Sequence, residues 1–256
     1  MPDKSLISPT GARSAFLTAQ WRDLLMLNYV VDPAALAPLV PDGTTLDLWN
    51  GEALASVVGF RFMDTRVLGV PIPWHREFEE VNLRFYVRRE VADGPRRAVV
   101  FIRELVPRRA IAWLARARYN EPYRALPMRH QIAERAVERV VQYEWKTAAG
   151  WTTLSARTEG EARALSAGSE AEFITEHYWG YTKQRDGSTV EYQVTHPSWR
   201  VWDATDAVLR GDVAGTYGRD FAEMLVGAPR SAFVAEGSGV TVFQPRRLGR
   251  SASGLL

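Results

Sequence analysis

A segment in the first half of the chain alternates between polar and apolar side chains, as a β-strand with two different faces does. Between residues 78 and 91, the polar positions include a carboxylate, an amide and a guanidinium, on Glu80, Asn82 and Arg84. The opposite positions are aliphatic or aromatic, and they are Val81, Leu83, Phe85 and Val87. The polar set is typical of a site for a small polar ligand. A strand whose polar face meets solvent is the alternative.

A second group of chemically active side chains lies between residues 116 and 124, where a predicted helix gives way to an extended proline segment. Its members are Arg116, Tyr119, Glu121 and Tyr123. Such crowding of tyrosine, glutamate and arginine favours a ligand site. For Asn120 alone, which tolerates the left-handed conformation at a helix end, an ordinary C-cap and turn is the favoured interpretation. That interpretation explains the crowding of the other side chains less well.

Two histidines flank the turn signal Asp186-Gly187. A two-residue loop would place His177 directly opposite His196 on neighbouring strands, which makes a metal site on two imidazoles conceivable. Packing of two aromatic rings is the interpretation that we favour, because no third ligand of suitable spacing accompanies them. A three-residue loop would shift the register and separate the pair.

Composition narrows the function classes. The chain has 256 residues, 46% of them hydrophobic, a formal net charge of +2 and no cysteine, so thiolate metal sites, disulfides and cysteine nucleophiles are excluded. All but three of the 32 basic residues are arginine, but they are scattered among acids, and we expect no nucleic-acid surface. With no apolar leader and no run of 18 apolar residues, we expect a cytoplasmic protein without a membrane span.

Turn signals and short β-rich runs predict most of the secondary structure. Strands are predicted at residues 46–49, 52–62, 78–91, 98–105, 137–145, 151–156, 172–182 and 189–196, and within 231–243. Helices are predicted at 33–39, behind an Asp32 cap, at 107–119 and at 218–226. This pattern indicates an α+β fold that is mostly antiparallel, with a large curled sheet or closed barrel. We expect one domain over 1–256, with an ordered core at about 14–245.

Four runs of the chain carry a resemblance to a known family. They are FLTAQWRDLLMLNY at 16–29, FEEVNLRFYV at 78–87, ARYNEPY at 117–123 and EHYWGY at 176–181. Over most of its length the chain resembles the YqjF-like family (domain of unknown function 2071), which has no established activity. That family is similar in fold to acetoacetate decarboxylase. The resemblance therefore implies a large antiparallel sheet curled into a cone-like barrel around a cavity.

The decarboxylase pattern extends the resemblance to individual positions. Arg22 fits its early active-site arginine by spacing, and Glu80, two residues after an aromatic, fits its active-site glutamate. Tyr123 stands where the pattern has its Schiff-base lysine, and Arg61 replaces a second carboxylate. Because a phenol cannot form an imine, the resemblance speaks against amine catalysis at this position.

From these residues we expect a cavity that binds a small anionic or carbonyl-bearing organic molecule. Arg22 and Arg84 would hold a carboxylate or polarise an oxygen, and Glu80 would act as general acid or base. Tyr123 and Tyr119 would donate a hydrogen bond or a proton. The remaining candidates for substrate contact are Asn82, Arg61, Arg116 and Glu121.

The expected chemistry is lyase-like or hydratase-like, without a Schiff base, a metal or another cofactor. Two alternatives stay open: a barrel that binds or senses a ligand without turnover, and, less favoured, a metal enzyme on His177 and His196. The expected partner is a small molecule, with neither nucleic acid nor membrane. Because the similar decarboxylases assemble, the resemblance hints at a homo-oligomer.

Overall fold

Fifteen strands make up most of the described chain, which in this computed structural model comprises residues 14–71, 76–108, 121–135 and 138–249. The first eight are β1 (Ala15–Val31), β2 (Thr45–Leu46), β3 (Ala53–Val67), β4 (Val70–Pro71), β5 (Phe78–Arg89), β6 (Arg96–Val106), β7 (Tyr123–Ala125) and β8 (Met128–Arg135). The others are β9 (Glu138–Thr147), β10 (Gly150–Glu159), β11 (Trp179–Lys183), β12 (Thr189–Thr195), β13 (Val201–Arg210), β14 (Ser231–Phe243) and β15 (Arg246–Arg247).

The described helices are short. They are α1 (Pro33–Leu36), which continues as a 3₁₀ turn (Ala37–Leu39), α2 (Glu170–Thr175), α3 (Val213–Tyr217) and α4 (Arg219–Met224). The predicted cap of the first helix is present, since the Asp32 carboxylate accepts from the backbone N–H of Ala34 at 2.8 Å. The helix predicted at 107–119 falls almost entirely outside the described residues. No described helix is long and apolar enough to span a lipid bilayer.

Seven strands form a closed ring, in the order β12-β11-β6-β5-β3-β1-β14. The ring closes where β12 pairs antiparallel with β14, at Val194 opposite Val242. From β14 the sheet continues through β13, β10, β9 and β8. Parallel pairing is confined to β6 with β7 and β6 with β11, among the described strands. The expectation of a mostly antiparallel, curled sheet is therefore confirmed.

The ring has an apolar layer on each side of its strands. On the outer side, Leu27 and Leu83 share one buried cluster with Tyr143 and Trp145 of β9, so the β8–β10 extension covers this face. Close approach is possible because Gly59 of β3 lacks a side chain: a Cβ there would lie 2.5 Å from the Tyr143 ring. The inner side of the ring carries a second cluster, rich in phenylalanine, which surrounds a cavity.

The Asn50-Gly51 turn forms as predicted, but the strand before it pairs with a different strand from the one expected. Asn50 and Gly51 both have positive φ, and Trp49 and Glu52 exchange two backbone hydrogen bonds of 2.9 Å, as the sequence predicts. The strand before the turn, however, pairs with β5 rather than with β3. The turn type was thus predictable, whereas the partner strand was not.

Two predictions in the last third of the chain are wrong. Residues 172–175, predicted as strand, lie in α2, because the Ser169 hydroxyl caps that helix by accepting from the N–H of Glu172. The loop between β11 and β12 has three residues, since Gln184 pairs with Ser188. The pairing of β11 with β12 is therefore shifted by one residue from the predicted register, and Gly180 lies opposite Tyr192.

The last described strand lies at the C-terminal end of the described chain. Arg246–Arg247 forms β15 and pairs with Val190 and Glu191 of β12. This strand of two arginines is stabilised because Arg246 donates a hydrogen bond to the buried carboxylate of Glu191 on β12.

Candidate functional site

The interior of the seven-stranded ring holds a cavity of about 150 Å³. Every strand of the ring contributes at least one side chain to its wall. The aromatic members of the wall are Phe16, Trp21, Phe60, Phe62, Phe78, Phe101, Tyr123, Trp179, Tyr192 and Trp199. The ionisable members besides the tyrosines are Glu80, Arg84, Glu104, Glu121, His177 and His196. The cavity is therefore an aromatic chamber with a concentrated polar region.

Alternation along β5 places the predicted polar face inside this cavity. Glu80, Asn82 and Arg84 all line it, while Val81 and Leu83 are buried in the outer cluster. Glu80 is only 3% exposed. The interpretation of a solvent-facing strand is therefore wrong for Glu80 and Asn82, and the half-buried Arg84 also faces the cavity.

Glu80 is held by two neighbours. Tyr123 donates from its hydroxyl to Oε2 of Glu80 at 3.2 Å, and Asn82 donates from Nδ2 to Oε1 at 3.1 Å. Tyr123 reaches this position because β7 runs parallel to β6, with Tyr123 opposite Glu104. The structure thus brings together two of the three side chains assigned catalytic roles.

Two further carboxyls complete the polar region. Glu104 of β6 is 1% exposed and lies opposite Asn82, so it shares the cavity face of β5. Glu121 is 7% exposed, and its Oε1 accepts a hydrogen bond of 2.5 Å from the Tyr192 hydroxyl. Glu121 was a predicted contact residue and lines the cavity. Glu104 was not among the sequence candidates.

Burial shifts the protonation of all three carboxyls in the same direction. Desolvation raises the pKa of Glu80 to about 7, although hydrogen bonds from Asn82 and Tyr123 and the charge of Arg84 oppose it. Desolvation also raises the pKa of Glu121 to about 7. Glu104 has its pKa raised well above the ordinary value, first by burial and then by the charges of Glu121 and Glu80. Near neutral pH the cluster therefore shares protons among its members.

The phenol of Tyr123 stays neutral in this environment. Burial, followed by the charges of Glu104, Glu80 and Glu121, raises its pKa well above the ordinary value. A neutral phenol donates one hydrogen bond and accepts others, so Tyr123 links the carboxyls rather than acting as a phenolate.

Arg84 is the one permanent cation among the described residues of the cavity wall. Its Nη2 donates to the carbonyl oxygen of Ile174 at 3.2 Å and contacts the sulfur of Met26 at 3.8 Å. These contacts tie the guanidinium to the end of α2.

Arg22 does not join this site, which corrects its predicted catalytic role. It is absent from the cavity wall, and its guanidinium donates to the Gly237 carbonyl at 3.0 Å and to Gln20 Oε1 at 2.8 Å. The reason is a bulge at Asp23, whose φ is +57° and at which the pairing of β1 with β3 changes register. Strand alternation inverts there, so Trp21 and Leu24 face the cavity instead.

Arg61, predicted as a contact residue, also lies outside the cavity wall. It follows Phe60 on β3 and therefore points to the other face, where its Nε donates to Asp23 Oδ2 at 2.8 Å. Arg139 of β9 pairs with the same carboxylate. Arg61 thus stabilises the bulge of β1 rather than a ligand.

Comparison with known proteins assigns the chain to a family. Residues 18–239 match DUF2071, described as "Uncharacterized conserved protein (COG2071)". The chain belongs to the DUF2071 family. One relative, the "Uncharacterized protein YqjF" of Bacillus subtilis (strain 168), is 28% identical over 203 residues, which cover 77% of this chain and 80% of the relative.

Solved structures place this DUF2071 member in the acetoacetate decarboxylase-like fold. Acetoacetate decarboxylase from Legionella pneumophila superposes with a TM-score of 0.65 at 12% identity, covering 96% of this chain and 93% of that one. The enduracididine biosynthesis enzyme MppR, complexed with pyruvate, superposes with a TM-score of 0.61 at 13% identity, covering 95% and 94%. At such identities the likeness concerns the fold alone, and it confirms the fold implied by the sequence resemblance.

The two histidines of the DUF2071 chain line the cavity, but they are not an opposed pair. His177 precedes β11, and its Nε2 lies 3.3 Å from Oδ2 of Asp47. His196 donates from Nδ1 to the carbonyl of Pro197 at 2.9 Å and stacks on Trp199, with ring centroids 4.0 Å apart. The geometry on which the metal alternative rested is therefore wrong. Within the described ranges, no group of three or more histidines and carboxylates could hold a metal ion.

Both imidazoles are neutral near pH 7. Burial lowers the pKa of each to about 4, more than the hydrogen bond to Asp47 or to the Pro197 carbonyl raises it. The histidines consequently add no positive charge to the cavity.

The other two predicted contact residues, Arg116 and Tyr119, lie outside the described residues. Glu104 was missed for a structural reason. Next to the turn that joins them, β5 and β6 pair in one register. If that register continued along both strands, Glu104 would lie opposite Val81, on the outer face. A bulge between Phe101 and Arg103 advances β6 by one residue and turns Glu104 inward. No signal in the sequence marks this bulge.

Proposed function

We propose that the cavity binds a small carbonyl-bearing organic molecule and that the Glu80–Tyr123 pair exchanges protons with it. The observation that carries this proposal is the hydrogen bond of 3.2 Å between Tyr123 and a Glu80 carboxyl enclosed within the ring. A general acid or base works best when its pKa lies near the operating pH, and the pKa of Glu80 is about 7.

The carboxyl cluster can supply both an acid and a base at one time. In addition of water to a double bond conjugated with the carbonyl, an ionised carboxylate takes a proton from water as its oxygen bonds to the β-carbon. A protonated carboxyl gives a proton to the α-carbon, so the overall proton count of the cluster is unchanged. Elimination is the reverse of these steps. Glu80 and Glu104 are suited to the two roles, because a negative charge on one disfavours ionisation of the other.

Catalysis through an imine finds no support among the chain's lysines. The sequence holds three, of which Lys146 and Lys183 are described. Neither lines the cavity, Lys146 is exposed on β9, and Nζ of Lys183 donates to the carbonyl of Pro38 at 3.2 Å. Acid–base chemistry without a covalent intermediate therefore fits the site best.

The charges favour a carbonyl over an anionic ligand. The described wall offers Arg84 as its one permanent cation, against three carboxyls. A carboxylate on the ligand would be repelled by any ionised glutamate of the wall. A neutral carbonyl oxygen on the ligand instead accepts a hydrogen bond from a protonated carboxyl.

The experiment is a panel of ketones, keto acids and α,β-unsaturated carbonyl compounds, followed by thermal shift and by NMR detection of product. Glu80→Gln and Tyr123→Phe should each lower turnover by roughly 100-fold or more. Glu144→Gln is the matched control, because Glu144 pairs with Arg129 at the surface. Unchanged turnover in both cavity variants would refute the assigned roles. Binding without any product would favour the ligand-binding alternative.

A further inference from the structure

We propose that the carboxyl cluster is a subsite for an ammonium group, so that the ligand carries a primary amine beside its apolar body. The inference rests on the proposed function insofar as both need a ligand in this cavity. It extends that function by naming a second chemical group on the ligand.

The first argument is charge. Glu80, Glu104 and Glu121 are close enough that their charges disfavour one another's ionisation. Arg84 is partly used by the carbonyl of Ile174, and both cavity histidines are neutral. A ligand cation placed among the carboxyls would remove this repulsion.

The second argument is unsatisfied hydrogen-bond acceptors. Oε2 of Glu104 and Oδ1 of Asn82 are both buried, and neither has a hydrogen-bond partner among the described residues. The two residues lie opposite each other on β5 and β6, on the cavity face. An ammonium group has three donors and no acceptor, so once Glu104 is ionised the ammonium can donate to both oxygens at once. A buried acceptor without a donor is destabilising, so a ligand that donates to it gains affinity.

The third argument is the aromatic wall beside the cluster. Phe62 stacks on Phe78 with centroids 4.6 Å apart, and Trp21 meets Phe60 and Phe62 edge-on at 5.2 and 5.8 Å. Such a surface suits an apolar or aromatic body, and aromatic faces attract cations. The cavity therefore fits an amine with an apolar substituent better than a small dianion.

Binding of an ammonium group should release protons. The empty cluster holds protons near neutral pH, and a cation stabilises the ionised carboxylates. The charged and titratable groups that line the cavity together with Glu104 are Glu80 and Arg84 of β5, Glu121 just before β7, Tyr123 of β7, Tyr192 of β12, and the neutral His177 and His196. Since the histidines are already neutral above pH 6, the ionisation of the carboxyls decides the trend, and amine affinity should rise between pH 6 and pH 8.

The test compares head groups on two apolar bodies. The probes are butylamine, butan-2-one and butanoate, and 2-phenylethylamine, 4-phenylbutan-2-one and 3-phenylpropanoate, measured by isothermal titration calorimetry in two buffers of different ionisation enthalpy. We expect an amine to bind at least tenfold more tightly than its ketone at pH 8, with proton release. Affinity for the amine should fall at least threefold at pH 6.

Two variants test the ammonium subsite directly. Glu104→Gln and, independently, Glu121→Gln should weaken amine binding about tenfold and reduce the accompanying proton release, whereas the surface control Glu144→Gln should leave amine affinity unchanged. Ketone binding without amine binding would overturn the ammonium subsite and leave the proposed function standing. Amine binding without ketone binding or turnover would support the subsite and overturn the proposed function. If no probe of either body binds to the wild-type protein, both are overturned.

Discussion

The hydroxyl of Tyr123 lies 3.2 Å from Oε2 of Glu80, in a cavity whose wall leaves Glu80 only 3% exposed. Because the phenol is neutral, it can stabilise the ionised carboxylate by donating to it. The same contact opposes the desolvation that raises the pKa of Glu80. Tyr123 is therefore a group that sets the proton affinity of its neighbour.

Replacing Tyr123 by phenylalanine should raise the pKa of Glu80 further above about 7, because the carboxylate loses a donor while its burial remains. The measurement is a titration of glutamate side-chain carboxyls by ¹³C NMR, with Glu80→Gln used to assign the signal. Tyr178→Phe is the matched control, since Tyr178 donates to Glu176 outside the cavity wall. A Glu80 titration that moves down in pH, or that responds equally to the control, would contradict the coupling.

The protein should lose stability as the pH rises through about 7, and the loss due to Glu80 and Glu121 should be nearly complete by pH 8. The folded-state pKa of Glu80 and of Glu121 is about 7, above the ordinary value of 4.5, so the folded state holds protons that the unfolded state has already released. Each such proton costs up to about 1.4 kcal/mol per pH unit. The neutral histidines act in the opposite sense, but only as the pH falls below about 6.5.

Urea midpoints at several pH values check this dependence. In the wild-type protein the midpoint should fall between pH 6 and about pH 8, most steeply below pH 7, and then level off. It should fall less in Glu80→Gln and in Glu121→Gln, each of which removes one of the protons concerned. A midpoint that does not fall over this interval would show that the carboxyls are already ionised in the folded state at pH 6.

Local sequence rules predicted the parts of the site that lie on regular elements. The alternation of β5 places Glu80, Asn82 and Arg84 on one face because a strand has a period of two. The Asn50-Gly51 turn follows from residues that tolerate positive φ.

Three of the failures come from insertions of a single residue. The left-handed Asp23 turns Arg22 away from the cavity, and the bulge of β6 turns Glu104 into it. Each inverts the two faces of a strand beyond it, and neither requires glycine or proline. The extra residue in the loop before Ser188 has the same effect on the register of β11 and β12. Such one-residue shifts depend on contacts between strands, which the sequence alone does not display.

Gly180→Ala should destabilise the protein and displace Tyr192. A Cβ at position 180 would lie 2.1 Å from Cζ of the Tyr192 ring, which crosses β11 to donate to Glu121. Overpacking of this kind costs about 1–3 kcal/mol, and a thermal unfolding midpoint several degrees lower is expected. Gly249→Ala serves as the control, because nothing lies within 4 Å of a Cβ there. Equal midpoints for the two variants would show that Tyr192 yields without cost.

The second buried carboxylate system lies outside the cavity and should be purely structural. Glu191 is 0% exposed and receives Arg96 at 2.9 Å, Arg246 at 3.1 Å and Arg89 at 3.3 Å. The Tyr181 hydroxyl also donates to it at 2.9 Å. Glu191→Gln keeps the shape but removes the charge, so the arginines lose their common counterion. Because they are partly exposed, the loss should lie near 3 kcal/mol, at the lower end for a broken buried pair.

Asp203→Asn supplies the comparison for Glu191→Gln, since Asp203 pairs with Arg163 on the surface, where both side chains are largely exposed. An exposed pair contributes about 0–1 kcal/mol, because solvent screens it and two long side chains lose freedom. Chemical unfolding of the two variants should therefore differ by about 2 kcal/mol or more. Ligand affinity should be unchanged in both, because neither Glu191 nor Asp203 contributes to the cavity wall. Equal unfolding free energies would mean that water or rearranged arginines replace the Glu191 charge, and that burial adds nothing to this network.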